Sequence, residues 1–134
     1  MPLEITQRER EGIALLDMKG RLIAGESVTT LRDSMETQTK IGKANVILNL
    51  HEVDYIDSSG LGALVYCSTN LTRSGGVAKL LNLNRRNLEL LVLTKIDTIF
   101  EVFNDETDAV NSFFPGRDIK KFDILSFVHN LKGK

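Results

Sequence analysis

"VDYIDSSGLGALVYC", residues 53–67, changes texture half-way. An apolar stretch ends at Ile56 in an aspartate, two serines and a glycine. The apolar pattern then resumes at a different period. The resumed pattern has the helical period of about 3.6, so the polar run reads as a helix start. Asp57 or Ser58 can cap the free N–H groups at the helix start. On a wheel of about 100° per residue with Ser59 at the origin, one arc holds Leu61, Leu64, Val65, Cys67, Ser68, Leu71 and Thr72. That arc is the expected core face. The opposite arc holds Ser59, Gly62, Ala63, Tyr66, Thr69, Asn70 and Arg73. Ser59 thus lies on the wet face of the first turn, with small neighbours at Gly62 and Ala63, and is the serine of the pair expected to project. An N-cap alone explains one polar residue here. It does not explain Gly60 and Gly62, each of which costs about 1 kcal/mol relative to alanine in a helix. The two glycines predict that something approaches the backbone closely.

Working outward, "ANVILNL" (44–50) is a short apolar and β-branched run, expected as a strand covered on both faces. His51 is expected just beyond it. "LEITQRE" (3–9) and "IALLDMKG" (13–20) flank Glu11-Gly12 as a hairpin that Gly20 ends. "GESVTTLRDSMETQTKIG" (25–42) spaces Val28, Leu31, Met35 and Ile41 as a helix, with Ser27 as cap and Gly42 as stop. "GVAKLLNL" (76–83) is another buried strand. Asn84 can cap "RRNLELLVLTKI" (85–96). "TIFEVFN" (98–104) alternates as a last strand, and Asn104 or Asp105 caps a helix through Ala109, Val110 and Phe113. The order β-β-α-β-α-β-α-β-α predicts an α/β fold with a mostly parallel twisted sheet. Pro115-Gly116 closes the domain at residues 1–114. In the tail, 115–134, Ile119, Phe122, Leu125 and Val128 fall at helical spacing, which predicts an extra C-terminal amphipathic helix. That stripe needs a docking surface, on this chain or on a second copy in a homodimer.

Composition narrows the class. The chain has 134 residues, 42% hydrophobic and 26% charged, enough for one domain. Its 17 basic and 18 acidic residues give a formal net charge of -1, without the basic excess that nucleic acid or an anionic membrane calls for. Runs such as Leu90-Leu91-Val92-Leu93 fall far short of the about 20 apolar residues of a membrane span. "MPLEITQRER" lacks an apolar signal region. Cys67 is the lone cysteine, so no intrachain disulfide forms. A cytoplasmic setting and no stable membrane association are expected. Tail lysines at 120, 121, 132 and 134 allow a membrane-surface reading, which Asp118 and Asp123 oppose.

Other chemistry finds little support. His51 and His129 have no ligand at metal spacing. Cys67 lies on the core arc, where an inert thiol is the default. No G-x-S-x-G elbow, dinucleotide fingerprint or phosphate loop occurs. Arg85-Arg86 reads as a solvated helix end, with a second reading as positive charge beside a phosphoserine. No metal, cofactor or catalytic residue is expected.

"VDYIDSSGLGAL" (53–64) closely resembles the signature of the STAS family of bacterial anti-sigma factor antagonists. The resemblance spans about residues 3–114, through "KGRLIAGESVTTLRDSM" (19–35), "KANVILNLHEVDYIDSSGLGALV" (43–65) and "GGVAKLLNLNRRNLELLVLTKIDTIFEVFNDETDAV" (75–110). It implies a STAS-like single domain with helices mainly on one face, and a regulatory protein rather than an enzyme. Family antagonists bind an anti-sigma factor that is also a serine kinase of the histidine-kinase-like ATPase fold, which frees the sigma factor. The kinase phosphorylates the second serine of the motif, and a PP2C-type phosphatase resets it. Carried over, Ser59 is the phosphoacceptor, Asp57, Ser58 and Gly60 shape the helix start, and Gly62, Ala63, Tyr66 and Glu26 belong to the partner surface. The sequence departs from the family's acidic "GELD"-like turn, having Ile23, Ala24 and Gly25 before Glu26. An adaptor subunit of a lipid-transport or stress-signalling complex is the alternative, and it has no need of Ser59.

Overall fold

The computed structural model describes residues 2–120, 122 and 123. Strands β1 (Glu4–Arg10) and β2 (Ile13–Leu22) form the expected antiparallel hairpin. Its turn, Glu11-Gly12, has positive φ at both residues, which suits the right-handed twist of the strands. Strands β3 (Asn45–Ile56), β4 (Val77–Leu81) and β5 (Val102–Phe103) add in parallel, giving the order β1-β2-β3-β4-β5. The connections carry α1 (Glu26–Ile41), α2 (Ser58–Arg73) and α3 (Arg85–Leu93). Helix α4 (Glu106–Asn111) follows β5.

Strand alternation sorts the core into two layers. Leu16, Met18, Val46, Leu48 and Leu80 point to one side. There they bury Leu31 and Met35 of α1, Leu64 and Leu71 of α2, and Leu88 and Leu91 of α3. Ile13, Leu15, Ile47, Leu81 and Phe103 point to the other side and meet Ala109 and Val110 of α4. Three helices therefore share one face, and the short fourth takes the other. A charged brace holds α4: Arg8 on β1 pairs with Asp17 at 2.7 Å and with Glu106, which also accepts from Arg10 at 3.0 Å.

Several expectations change. Strand β2 does not end at Gly20 but runs on to Leu22, still paired with β3, and the glycine there admits the Pro2 backbone where a Cβ would sit. Gly25, not Ser27, holds the N-cap of α1, and Ser27 is buried inside the helix. His51 lies within β3 rather than after it, because the strand continues to Ile56 with Val53 and Ile56 turned into the core. The "TIFEVFN" strand shrinks to two residues after a 3-10 turn at Ile96–Thr98. Asp105 caps α4, accepting from Thr107 and Asp108.

In the tail, residues 117–120, 122 and 123 are not helical. Arg117 is held by Glu11 at 2.9 Å and by Asn111 at 2.9 Å, and the Lys120 N–H donates to Asp108 at 3.2 Å. The Arg117 side chain and the Lys120 N–H thus tie this segment to the hairpin turn and to α4. Ile119 and Phe122 do find a docking surface, on the two core clusters of their own chain. Leu125, Val128 and His129 lie outside the described residues.

Candidate functional site

The site lies at the carboxyl end of β3, where Asp57 ends the strand and opens α2. Asp57 is extended (φ -94, ψ -179), as an N-cap requires, and its Oδ1 accepts from the Gly60 N–H at 2.7 Å. Its Oδ2 accepts from the Ala24 N–H at 3.0 Å, in the loop between β2 and α1. The Asp57 N–H donates to the Leu22 carbonyl at 3.1 Å. Two hydrogen bonds thus join the helix start to the end of β2 and to that loop, and the third closes the cap itself. Donation from the Gly60 amide first, and from the Ala24 and Ser59 amides after it, holds the Asp57 carboxyl below the usual carboxylate range.

The close approach that the glycines predict comes from this chain itself. Gly60 is buried, and a Cβ there would lie 2.8 Å from Cγ of Leu22 and closer still to its carbonyl oxygen. Gly62 is different: a Cβ there would meet nothing within 4 Å. It leaves an open patch one turn on from Ser59.

Ser58 and Ser59 are both exposed, so exposure does not separate the pair as the wheel did. Gly62 and Tyr66 are exposed on the same helix, and Glu26 is exposed at the first position of α1. Ala63 is the correction: it is 3% exposed and belongs to the core. The buried arc of α2 runs from Ala63 through Gly60 to Leu61, about 40° away from its expected position. Helix α1 causes the shift. A groove of about 450 Å³ between the two helices is lined by Arg32, Met35 and Glu36 on α1 and by Tyr66, Cys67 and Asn70 on α2. Ala63 falls within the arc of α2 that borders it. The Arg32 guanidinium lies 5.0 Å from the Tyr66 ring centroid, a contact that wheel geometry within one helix does not reveal. Burial pushes the Cys67 thiol up to about 11, so it stays protonated at neutral pH.

Tyr55, two residues before Asp57, is partly exposed under the Arg86 guanidinium, 5.8 Å from its ring. Arg85 instead faces Glu89 at 4.0 Å. Among the described residues no cluster of three or more His, Cys, Asp or Glu could hold a metal ion. No helix there is long and apolar enough to cross a membrane.

An exposed serine pair on a helix start, an aspartate cap and a sequential sheet form one arrangement, and the STAS domain family model matches it over residues 4–109. The chain belongs to the STAS domain family. The anti-sigma-B factor antagonist of Bacillus subtilis (strain 168) is 33% identical to this STAS chain over 84 residues. The match covers 60% of this chain and 76% of that protein. Among solved structures, an anti-sigma factor antagonist from Mycobacterium paratuberculosis shares the fold with a TM-score of 0.72 at 16% identity, covering 82% of this chain and 92% of that one. The Bacillus cell fate determinant SpoIIAA in its phosphorylated form shares it with a TM-score of 0.64 at 18% identity, covering 82% and 99%. The expected STAS fold, with its single parallel-rich sheet and helices mainly on one face, is therefore present.

Proposed function

We propose that this STAS chain is a phosphorylation-switched antagonist of an anti-sigma factor, and that Ser59 is its phosphoacceptor. The observation that carries this reading is the exposed Ser59 on the first turn of α2, beside the open patch at Gly62. The 33% identity to an anti-sigma-B factor antagonist supports it. In this reading the chain works in the bacterial cytoplasm by binding rather than by catalysis. Its partner is an anti-sigma factor serine kinase of the histidine-kinase-like ATPase fold, and a PP2C-type phosphatase restores the free serine. The binding unit is residues 1–114, with 115–134 as an accessory tail. The surface consists of Ser59, Gly62, Tyr66 and Glu26, without the buried Ala63.

The physics of the switch is local. A phosphate on Ser59 sits at a helix N-terminus, where the dipole and free N–H groups favour an anion. The free protein therefore tolerates it. Across a closed interface the same group adds about 1.5 to 2 negative charges that must be desolvated or paired. An unpaired buried charge costs about 3–5 kcal/mol, which weakens binding by roughly a hundredfold or more.

Incubation with the cognate kinase and ATP, followed by phosphopeptide mapping, tests the assignment. Phosphate on Ser59 is expected. Modification confined to Ser58 sinks the assignment, and no transfer to either serine favours an adaptor role. By calorimetry, Ser59→Ala should retain kinase affinity and Ser59→Asp should lose it.

A further inference from the structure

We propose that Asp57 is a positioning residue that fastens the β2–α1 loop to the first turn of α2, so that Glu26 and Ser59 meet a partner as one preorganised surface. A plain N-cap needs one acceptor oxygen, and Asp57 uses Oδ1 for that, on the Gly60 N–H at 2.7 Å. The second oxygen does something a cap does not require. It reaches 33 residues back in sequence to the Ala24 N–H at 3.0 Å. Ala24 is exposed, and so are Gly25 and Glu26. Helix α1 begins without help there, because its Gly25 cap makes no side-chain hydrogen bond. The loop is thus secured from outside, at its middle, by the residue that also opens α2. Leu22 closes the other side: its carbonyl accepts from the Asp57 N–H at 3.1 Å, and its backbone packs against Gly60.

A carboxylate suits this place better than the other capping residues. Serine and asparagine cap about as well, and threonine less well, but each offers one acceptor in the needed direction. Asparagine would set its Nδ2 donor against the Ala24 N–H. Only an aspartate of this length accepts on both sides at once. A loop held in its bound conformation before contact avoids an ordering cost on binding. The first part of the inference concerns the free chain alone; its consequence for partner binding rests on the function proposed above.

The test uses the full chain carrying Asp57→Asn, with Asp57→Ser as a second variant that keeps the cap with a different side chain. Amide hydrogen exchange on the free protein is expected to show Ala24 opening about tenfold faster or more, the scale of a lost hydrogen bond to a charged group. Amides of Leu64 to Leu71 should stay within about twofold of the parent. Unchanged exchange at Ala24 in both variants overturns the fastening. Equal acceleration along all of α2 in both overturns it too, since Asp57 would then act as a cap alone. With the kinase, KM for the variants should rise while kcat holds. An unchanged KM with a loosened loop overturns the shared surface. A parent chain that takes no phosphate at all is a failure of the proposed function, and it leaves the exchange result standing by itself.

Discussion

Helices α2 and α3 leave the same end of the sheet with the same device. Each follows a parallel strand, and each has an N-cap side chain that accepts from the N–H three residues on, Gly60 for Asp57 and Asn87 for Asn84, at 2.7 and 2.8 Å. The residue at that third position is buried in both. From there they diverge. The start of α3 is sewn to β3 by neutral amides: Asn84 donates to the Asp54 carbonyl at 3.1 Å and Asn87 to the Val53 carbonyl at 3.1 Å. Its first exposed residues are Arg85 and Arg86, cations at a helix end that favours anions. The start of α2 is sewn to a loop by a carboxylate, and it exposes two small hydroxyls beside open space. A capped helix start is thus a device of the fold. What makes one of them a candidate switch is the pair of residues after the cap and what the second oxygen of the cap holds.

Gly60→Ala should break this comparison most severely. The added methyl collides with Leu22 backbone, which cannot give way without displacing β2, and a loss of about 3 kcal/mol or more is expected in chemical denaturation. Gly62→Ala, in open space on the same helix, should be neutral or stabilising by up to about 1 kcal/mol. Similar midpoints for the two variants would mean that α2 is no more tightly seated than any surface helix.

Asn87→Ala tests the other helix. It removes the donor to Val53, yet Asn87 Oδ1 has no partner among the described residues, so the loss of one bond is partly offset. A drop of about 1–2 kcal/mol is expected in thermal melting, clearly less than for Gly60→Ala. A larger drop would make α3 the more firmly anchored of the two.

The smallest effect is local and depends on pH. Asp57 has a depressed folded-state value, so its contribution is complete above the unfolded value of about 3.9. It is lost as pH falls through the folded value. Asn84 does not titrate. As pH falls below about 4, first-turn amides of α2 should therefore lose protection before those of α3, as read by site-resolved exchange. Global acid unfolding does not isolate this, because Asp17, Glu106 and Glu11 are also held low. Simultaneous loss at both helix starts would remove the carboxylate from the account of α2.

Much of this was legible in the sequence, since the order of elements follows from side-chain period, and period follows from which faces are covered. The cap at Asp57 and the exposure of Ser59 are first-turn properties, set by residues within four positions. What escaped depends on a second element. Ala63 and Gly60 are buried because of α1 and Leu22, which no wheel drawn for α2 alone contains. The tail shows the same limit: Ile119 and Phe122 have helical spacing, but Arg117 and Lys120 are committed to Glu11 and Asp108, and the described segment is not helical. The far end of β3 was missed because Asp54 and Tyr55 place polar and bulky groups outward where a fully buried strand was expected.

The sheet order β1-β2-β3-β4-β5 has a kinetic consequence. Every strand pairs with its neighbour in sequence, so each new strand adds to an edge that already exists. A chain leaving the ribosome can build this domain in the order of synthesis, without waiting for a late strand to slip between early ones. The ion pairs that reach back to the first hairpin are the exception, Arg117 with Glu11 at its turn and Arg8 with Glu106 on β1. The Arg8–Glu106 pair spans 98 residues, joining the first strand to α4. It forms only when the sheet is finished, which makes it a marker of completed folding and not a guide to it.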